Sequence, residues 1–316
     1  PWQGRVDAAE GAAGRRWNQV VQPFASGRAG GVVLVGLACD AGVQRNHGRV
    51  GAAAGPPALR RQLANLAWHG DAAGLYDAGD VQVADDALEA GQDAYAARVA
   101  AALRDGHRVI GLGGGHEIAW AAYRGIEIAL AGDPRIGRLG IVNFDAHFDL
   151  RRAESPGRGN SGTPFLQIAE ARAAAGLPFD YLCLGISEAA NTPALFDRAA
   201  SLGVRHVSDV EIDSARAEAV LCEFLAGCDA IYCTFCLDVL PAAAAPGVSA
   251  PSALGVALPR AVALLRLLLA ECRREPGRDK LVLADVAELN PAHDASDSRT
   301  ARAAARIVYE LSGLGR

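Results

Sequence analysis

Short apolar runs recur along this chain and alternate with segments of helical character. Gly31–Cys39, Val109–Leu112, Leu139–Val142, Tyr181–Gly185, Ala230–Leu237 and Lys280–Ala284 each read as a strand, with a shorter one at Arg205–Val207. A run without a polar face has no side to offer to water, so such strands belong inside a parallel sheet. Helices are expected at Pro56–Leu66, Gln92–Leu103, from after Glu117 to about Ala129, and at Pro164–Ala175. More are expected at Ala194–Leu202, residues 213–226, Leu258–Cys272 and Ser298–Leu314. Proline in a first turn supports the helix at Pro56. The alternation predicts an α/β fold: one doubly wound, mainly parallel sheet with helices on both faces. Neither an internal repeat nor a low-complexity linker is visible, so one domain over 1–316 is expected, with residues 1–30 an irregular lead-in.

The totals exclude several function classes. The chain has 316 residues, 51% of them hydrophobic, and a formal net charge of -5. Its arginines are scattered rather than clustered, which argues against nucleic acid as a partner. No apolar stretch is long enough to span a bilayer. The start, Pro1-Trp2-Gln3-Gly4-Arg5, lacks a signal-peptide core. The chain holds 7 cysteines, mostly within apolar runs such as Leu182-Cys183-Leu184. That pattern suits reduced, buried thiols and a cytoplasmic address better than a disulfide framework.

Function is written where the strands end. Parallel strands present their C-terminal ends on one edge of the sheet, where ligands of such folds bind. The strand ending at Leu112 runs into Gly113-Gly-Gly-His116-Glu117. The next runs into Asn143-Phe-Asp145-Ala-His147-Phe-Asp149, and if the extended backbone persists, the two aspartates and His147 share one face. A later strand ends in Cys236 and Asp238, and the last in Asp285-Val-Ala-Glu288. Carboxylates and imidazoles together suit a divalent ion, and this many suffice for a two-metal site. Each group alone has a plainer reading: a glycine turn, a capping histidine, a helix-start acid, or a buried thiol. No Gly-Lys-Ser/Thr follows the glycines, so they are not a phosphate loop. The loop Gln44–Gly51 also follows a strand end and carries Arg45, Asn46 and His47.

Gly113–Glu117, Asn143–Arg151 and Asp285–Pro291 resemble the signatures of the arginase/agmatinase (ureohydrolase) family. Pro241–Pro251 is similar to that family's proline-glycine loop, and the resemblance covers most of the chain. It implies a three-layer α/β/α arginase-like fold and two Mn2+ per subunit. Carried over, His116 and Asp149 hold one metal, His147 and Asp238 the other, and Asp145 bridges them. The family's second bridging aspartate falls at Cys236. A thiolate is softer than manganese prefers, which brings Zn2+ or Fe2+ into play, unless Cys236 turns away. Phe148–Arg151, Ser161–Phe165 and Val248–Pro251 point to the branch acting on formimidoylglutamate in histidine breakdown. Arginases carry a proton-shuttling histidine where this chain has Ser161, so arginase activity is not expected.

The implied reaction is hydrolysis of N-formimidoyl-L-glutamate to L-glutamate and formamide by a metal-bound hydroxide. Asp238 would relay a proton to the leaving nitrogen, and Glu288 would hold the amidinium. The substrate's carboxylates call for arginine forks, with Arg45, Arg151, Arg152 and Arg158 as candidates and Asn46, Asn160 and Ser161 as further donors. Two alternatives stand beside this: a guanidino-acid hydrolase releasing urea, and a degenerate homologue binding metal or ligand without turnover. The expected partner is a small molecule, with no nucleic acid and no membrane. The resemblance implies a homo-oligomer, trimer or hexamer.

Overall fold

The computed structural model describes residues 2–27, 30–70, 74–133 and 137–314. Of the lead-in expected over residues 1–30, positions 1, 28 and 29 lie outside the described residues. Among the described residues nine strands form one sheet: β1 (Gln22–Pro23), β2 (Val32–Ala38), β3 (Leu75–Gln82), β4 (Arg108–Leu112), β5 (Leu139–Phe144), β6 (Asp180–Ile186), β7 (Arg205–Ser208), β8 (Ala230–Cys236) and β9 (Leu281–Ala287). Their order is β1-β3-β2-β4-β9-β8-β5-β6-β7, and every pairing is parallel.

The helices are α1 (Trp17–Val20), α2 (Ala41–Arg45), α3 (Gly55–Leu63), α4 (Leu88–Arg104), α5 (Ile118–Leu130), α6 (Pro164–Ala174), α7 (Pro193–Ser201), α8 (Ala215–Ala226), α9 (Leu258–Cys272) and α10 (Arg299–Ser312). They cover both faces of the sheet. Alternate strand residues feed two cores, because a strand's side chains point to opposite faces. Leu34, Ile110, Val142 and Leu182 pack with Leu63, Leu221, Leu264 and Ile307 of α3, α8, α9 and α10. Val33, Val109, Ile141 and Tyr181 pack with Val99, Ile118, Phe165 and Leu195 of α4, α5, α6 and α7. The result is the three-layer α/β/α arrangement.

Three readings need correction. The lead-in is not wholly irregular: it holds a 3-10 segment at Ala8–Gly14, then α1 and β1. The loop expected at Gln44–Gly51 begins inside α2. The strand β3 has no counterpart among the apolar runs, because most of its residues are only partly buried and two of them are acids, Asp77 and Asp80. Asp77 and Asp80 of that strand receive the guanidinium of Arg60, which is 1% exposed on α3. A buried cation thus joins a helix to a strand that hydrophobicity alone does not mark.

The order of the sheet decides where function sits. After β4 the chain passes through α5 to β5, leaving room between them for β9 and β8. The four adjacent central strands β4, β9, β8 and β5 are the ones whose ends carry His116, Glu288, Cys236 with Asp238, and Asp145 with His147 and Asp149. Residues far apart in sequence therefore meet at one crevice, as expected at a change of winding direction.

Candidate metal centre

The glycine triplet after β4 is required by space. The Gly113 N–H donates to Val286 O and that of Gly114 to Leu37 O. A Cβ on Gly114 would lie 2.2 Å from the Cys39 carbonyl oxygen. The loop therefore passes tightly between β2 and β9 and delivers His116, 1% exposed, to the crevice.

The tautomer of His116 follows from its neighbours. Thr234 Oγ1 donates to Asp285 Oδ1 at 2.6 Å, so its oxygen accepts from His116 Nε2–H at 2.9 Å. Tyr232 OH donates to the other oxygen of Asp285. Asp285, read from sequence as a strand-end acid, lies within β9 and anchors this chain of bonds instead. The arrangement leaves a lone pair on Nδ1. That atom is 2.9 Å from Asp145 Oδ2 and 2.9 Å from Asp149 Oδ2, yet it makes no hydrogen bond. Lone pairs facing one another at this distance in a buried site need a cation between them: a second proton on the ring, or a metal.

Asp145 is fully buried and turns its two oxygens to different histidines. Oδ2 faces His116 Nδ1, while Oδ1 lies 3.5 Å from His147 Nδ1 and accepts the His147 backbone N–H at 2.7 Å. His147 Nδ1 is also 3.1 Å from Asp238 Oδ2, and Asp238 Oδ1 has no partner. Two groups of candidate ligands share Asp145: His116, Asp145 and Cys236, and Asp145, His147 and Asp238, each with donor atoms within 4.8 Å of one another. Cys236, 1% exposed, thus faces the cluster rather than turning away. Oxygen and nitrogen donors without partners, drawn together in a buried crevice, fit a pair of divalent cations.

The convergence is not made by strand alternation. The strand β5 ends at Phe144, and Asp149 adopts a left-handed backbone, φ 47°. Likewise β8 ends at Cys236, and Asp238 sits in a 3-10 turn, Leu237–Val239. The spacing of two residues brought these groups together, but through turns. Asn191 holds the first turn in shape: its Nδ2 donates to Ala146 O at 2.8 Å, and its Oδ1 accepts from Phe148 N–H at 3.1 Å. Sequence reasoning missed Asn191, which stands on the far side of β6 and matches no motif.

The electrostatics reflect crowding of like charges around two imidazoles. Burial opposes charge on His116, but Asp145 and Asp149 outweigh it and hold the ring's pKa well up. His147 is raised in the same way, against burial, by Asp238 and Asp145. Burial and then the Asp145 charge push Asp149 up to about 6, and raise Asp238. Burial would raise Asp145 too, but its two imidazoles hold it below the ordinary carboxylate range. Burial, then Glu117 and Asp238, raise Glu288.

A cavity of about 570 Å³ opens at this cluster and is lined by His116, His147, Asp149, Cys236, Asp238 and Glu288. Glu288, φ 71°, accepts the His116 backbone N–H on Oε1 at 2.9 Å and leaves Oε2 unpartnered. Asn46, Arg151, Arg152, Asn160 and Ser161 line the cavity as well. Asn46 Nδ2 donates to Ser161 Oγ at 3.0 Å. Arg45 also lines the cavity, but its guanidinium is taken by Asp86 and Glu89. Arg158 is paired with Asp86 and does not line it. Arg198 does line it, and no sequence signal marked it.

Residues 30–313 match the model of the arginase family. A formimidoylglutamase of Ralstonia nicotianae is 54% identical over 316 residues, covering 98% of this chain and 94% of that protein. One of Aromatoleum aromaticum is 50% identical over 323 residues, covering 99% and 91%. Among solved structures, Trypanosoma cruzi formiminoglutamase with Mn2+ superposes with a TM-score of 0.78 at 26% identity, over 93% of this chain and 97% of that one. Proclavaminate amidino hydrolase of Streptomyces clavuligerus gives 0.76 at 26%, over 93% and 94%.

Proposed function

The chain belongs to the arginase family, and we propose that it hydrolyses N-formimidoyl-L-glutamate to L-glutamate and formamide, a step of histidine degradation. The observation that carries this reading is the union of near-full-length likeness to formimidoylglutamases with a crevice of unpartnered ligand atoms. Two Mn2+ ions are the proposed cofactor: His116 and Asp149 would hold one, His147 and Asp238 the other, with Asp145 common to both groups and Cys236 beside His116 and Asp145. The oxygen and nitrogen donors support this, as does the Mn2+ in the Trypanosoma cruzi structure. When bound, the ions would supply Lewis acidity that brings a water toward deprotonation near neutral pH.

The side chains do the rest. Glu288 Oε2 accepts N–H bonds from the amidinium, anchored by the bond its Oε1 takes from the His116 backbone. A new C–O bond forms at the amidine carbon and its bond to the glutamate nitrogen breaks. Asp238 Oδ1, unpartnered and beside the cluster, carries a proton to that nitrogen so that it leaves as an amine. Arg151 and its neighbours take the carboxylate end, with Asn46, Asn160 and Ser161 as supporting donors. A cytoplasmic address accords with cysteines that are all free, and a homo-oligomer, trimer or hexamer, is the assembly implied by family resemblance. Product analysis by NMR tests the reading: formamide and glutamate in equal amounts support it. Urea from a guanidino acid, with none from the formimidoyl compound, would replace it with the guanidino-acid reading.

A further inference from the structure

The arginines around the cavity divide by what already holds them. Arg45 and Arg158 are neutralised by Asp86 and Glu89. Arg151, Arg152 and Arg198 line the cavity and form no ion pair among the described residues. The first turn of α7 faces the cavity through Ala194 and Leu195, and Arg198 follows four and three residues later, on the same side of the helix. Its Nη1–H donates to the carbonyl of Leu150 at 2.6 Å. Leu150 lies between the metal-site residue Asp149 and Arg151. The guanidinium is therefore fixed one residue from the cluster, with one of its five N–H donors used.

We infer that Arg198 recognises a carboxylate of the substrate and sets the preference for a dicarboxylate; this rests on the reading of the site as an amidine hydrolase. Arg198 is half-buried, and a partly desolvated guanidinium binds an anion more strongly than one in open water. Arg151 approaches from another side, its stem crossing Gly162, where a Cβ would lie 2.9 Å from Arg151 Cδ and 3.1 Å from Asn46 Nδ2. The cavity is thus lined by the acids of the cluster and, on other elements, by three arginines without an ion pair among the described residues, with Glu154 beside them. A substrate with a cationic amidine at one end and carboxylates at the other matches that pairing of charges.

The competing role for Arg198 is to anchor the Leu150 segment. Steady-state kinetics with the metal-loaded protein separate the two. The substrates are N-formimidoyl-L-glutamate and two analogues, N-formimidoyl-4-aminobutyrate and N-formimidoyl-L-2-aminobutyrate, each lacking one carboxylate. Arg198→Ala should raise KM for the dicarboxylate on the order of tenfold or more, with a smaller change in kcat. For the analogue lacking the recognised carboxylate the change should vanish. Arg198→Gln keeps an N–H for Leu150 O but loses the charge, and should behave as the alanine variant. Equal losses on all three substrates, or full recovery in Arg198→Gln, would overturn the inference. Calorimetry with L-glutamate needs no turnover. If the wild type releases no formamide, the amidine hydrolase reading alone fails. Arg198 then stands on glutamate affinity: about tenfold weaker in both variants supports it, unchanged overturns it.

Discussion

Replacing Cys236 by aspartate changes one donor of the cluster from soft sulfur to hard oxygen, with its neighbours left in place. The Sγ atom lies within 4.8 Å of ligand atoms on His116 and Asp145. In the metal-free protein the new carboxylate would be buried beside Asp145, Asp238, Glu288 and Asp149, the groups that, after burial itself, already raise the Cys236 thiol. A buried polar group without a partner costs about 1–3 kcal/mol. With an unfolding entropy of about 2.1 cal/mol/K per residue, a chain of this length loses roughly 0.66 kcal/mol per kelvin near its midpoint, so Tm should fall by about 2–5 °C. Metal reverses the sign. Manganese prefers oxygen to sulfur, and its affinity should rise on the order of tenfold, or about 1.4 kcal/mol. At Mn2+ concentrations well above Kd that gain returns about 2 °C of Tm. Zinc tolerates the thiolate, so the informative quantity is the ratio of Kd for Mn2+ to Kd for Zn2+, by competition titration with a chelator. Cys236→Asp should lower that ratio at least about tenfold. A folded variant with an unchanged ratio would refute the placement of the thiol among the ligands.

Other expectations follow from the same residues. Arg60→Ala leaves Asp77 and Asp80 without their buried cation and should cost about 3–5 kcal/mol, read as a Tm lower by about 5–8 °C. Glu288→Gln keeps the shape but not the charge facing the amidinium, and kcat/KM should fall about ten- to a hundredfold in initial-rate assays. Metal binding should weaken on acidification. Neighbouring carboxylates raise His116 and His147, and burial with the Asp145 charge pushes Asp149 up to about 6, so ligation should displace protons. Calorimetry of Mn2+ binding in buffers of different ionisation enthalpy should show proton release, and affinity should fall as pH drops through 6.

The central strands were legible because burial on both faces leaves a plain apolar run, as in β5, β8 and β9. β3 was not, since its acids are stabilised by Arg60 from another element, which no local pattern encodes. At the site, the residue types and the strand ends named in advance the groups that the fold draws together. The way they converge was hidden: it depends on the left-handed backbone at Asp149 and on Asn191 bonding across 45 residues to Ala146. Arginines were the least readable. Arg45 and Arg198 look alike in sequence, and only their partners, two acids for one and a carbonyl for the other, separate them.

The most direct test is a manganese titration of metal-stripped protein, with bound metal and formamide release from N-formimidoyl-L-glutamate measured together. The account predicts no turnover without metal and saturation at two ions per chain. It also predicts that the release is abolished in His147→Ala. Full activity in the stripped protein, or two bound ions with no formamide, would contradict it.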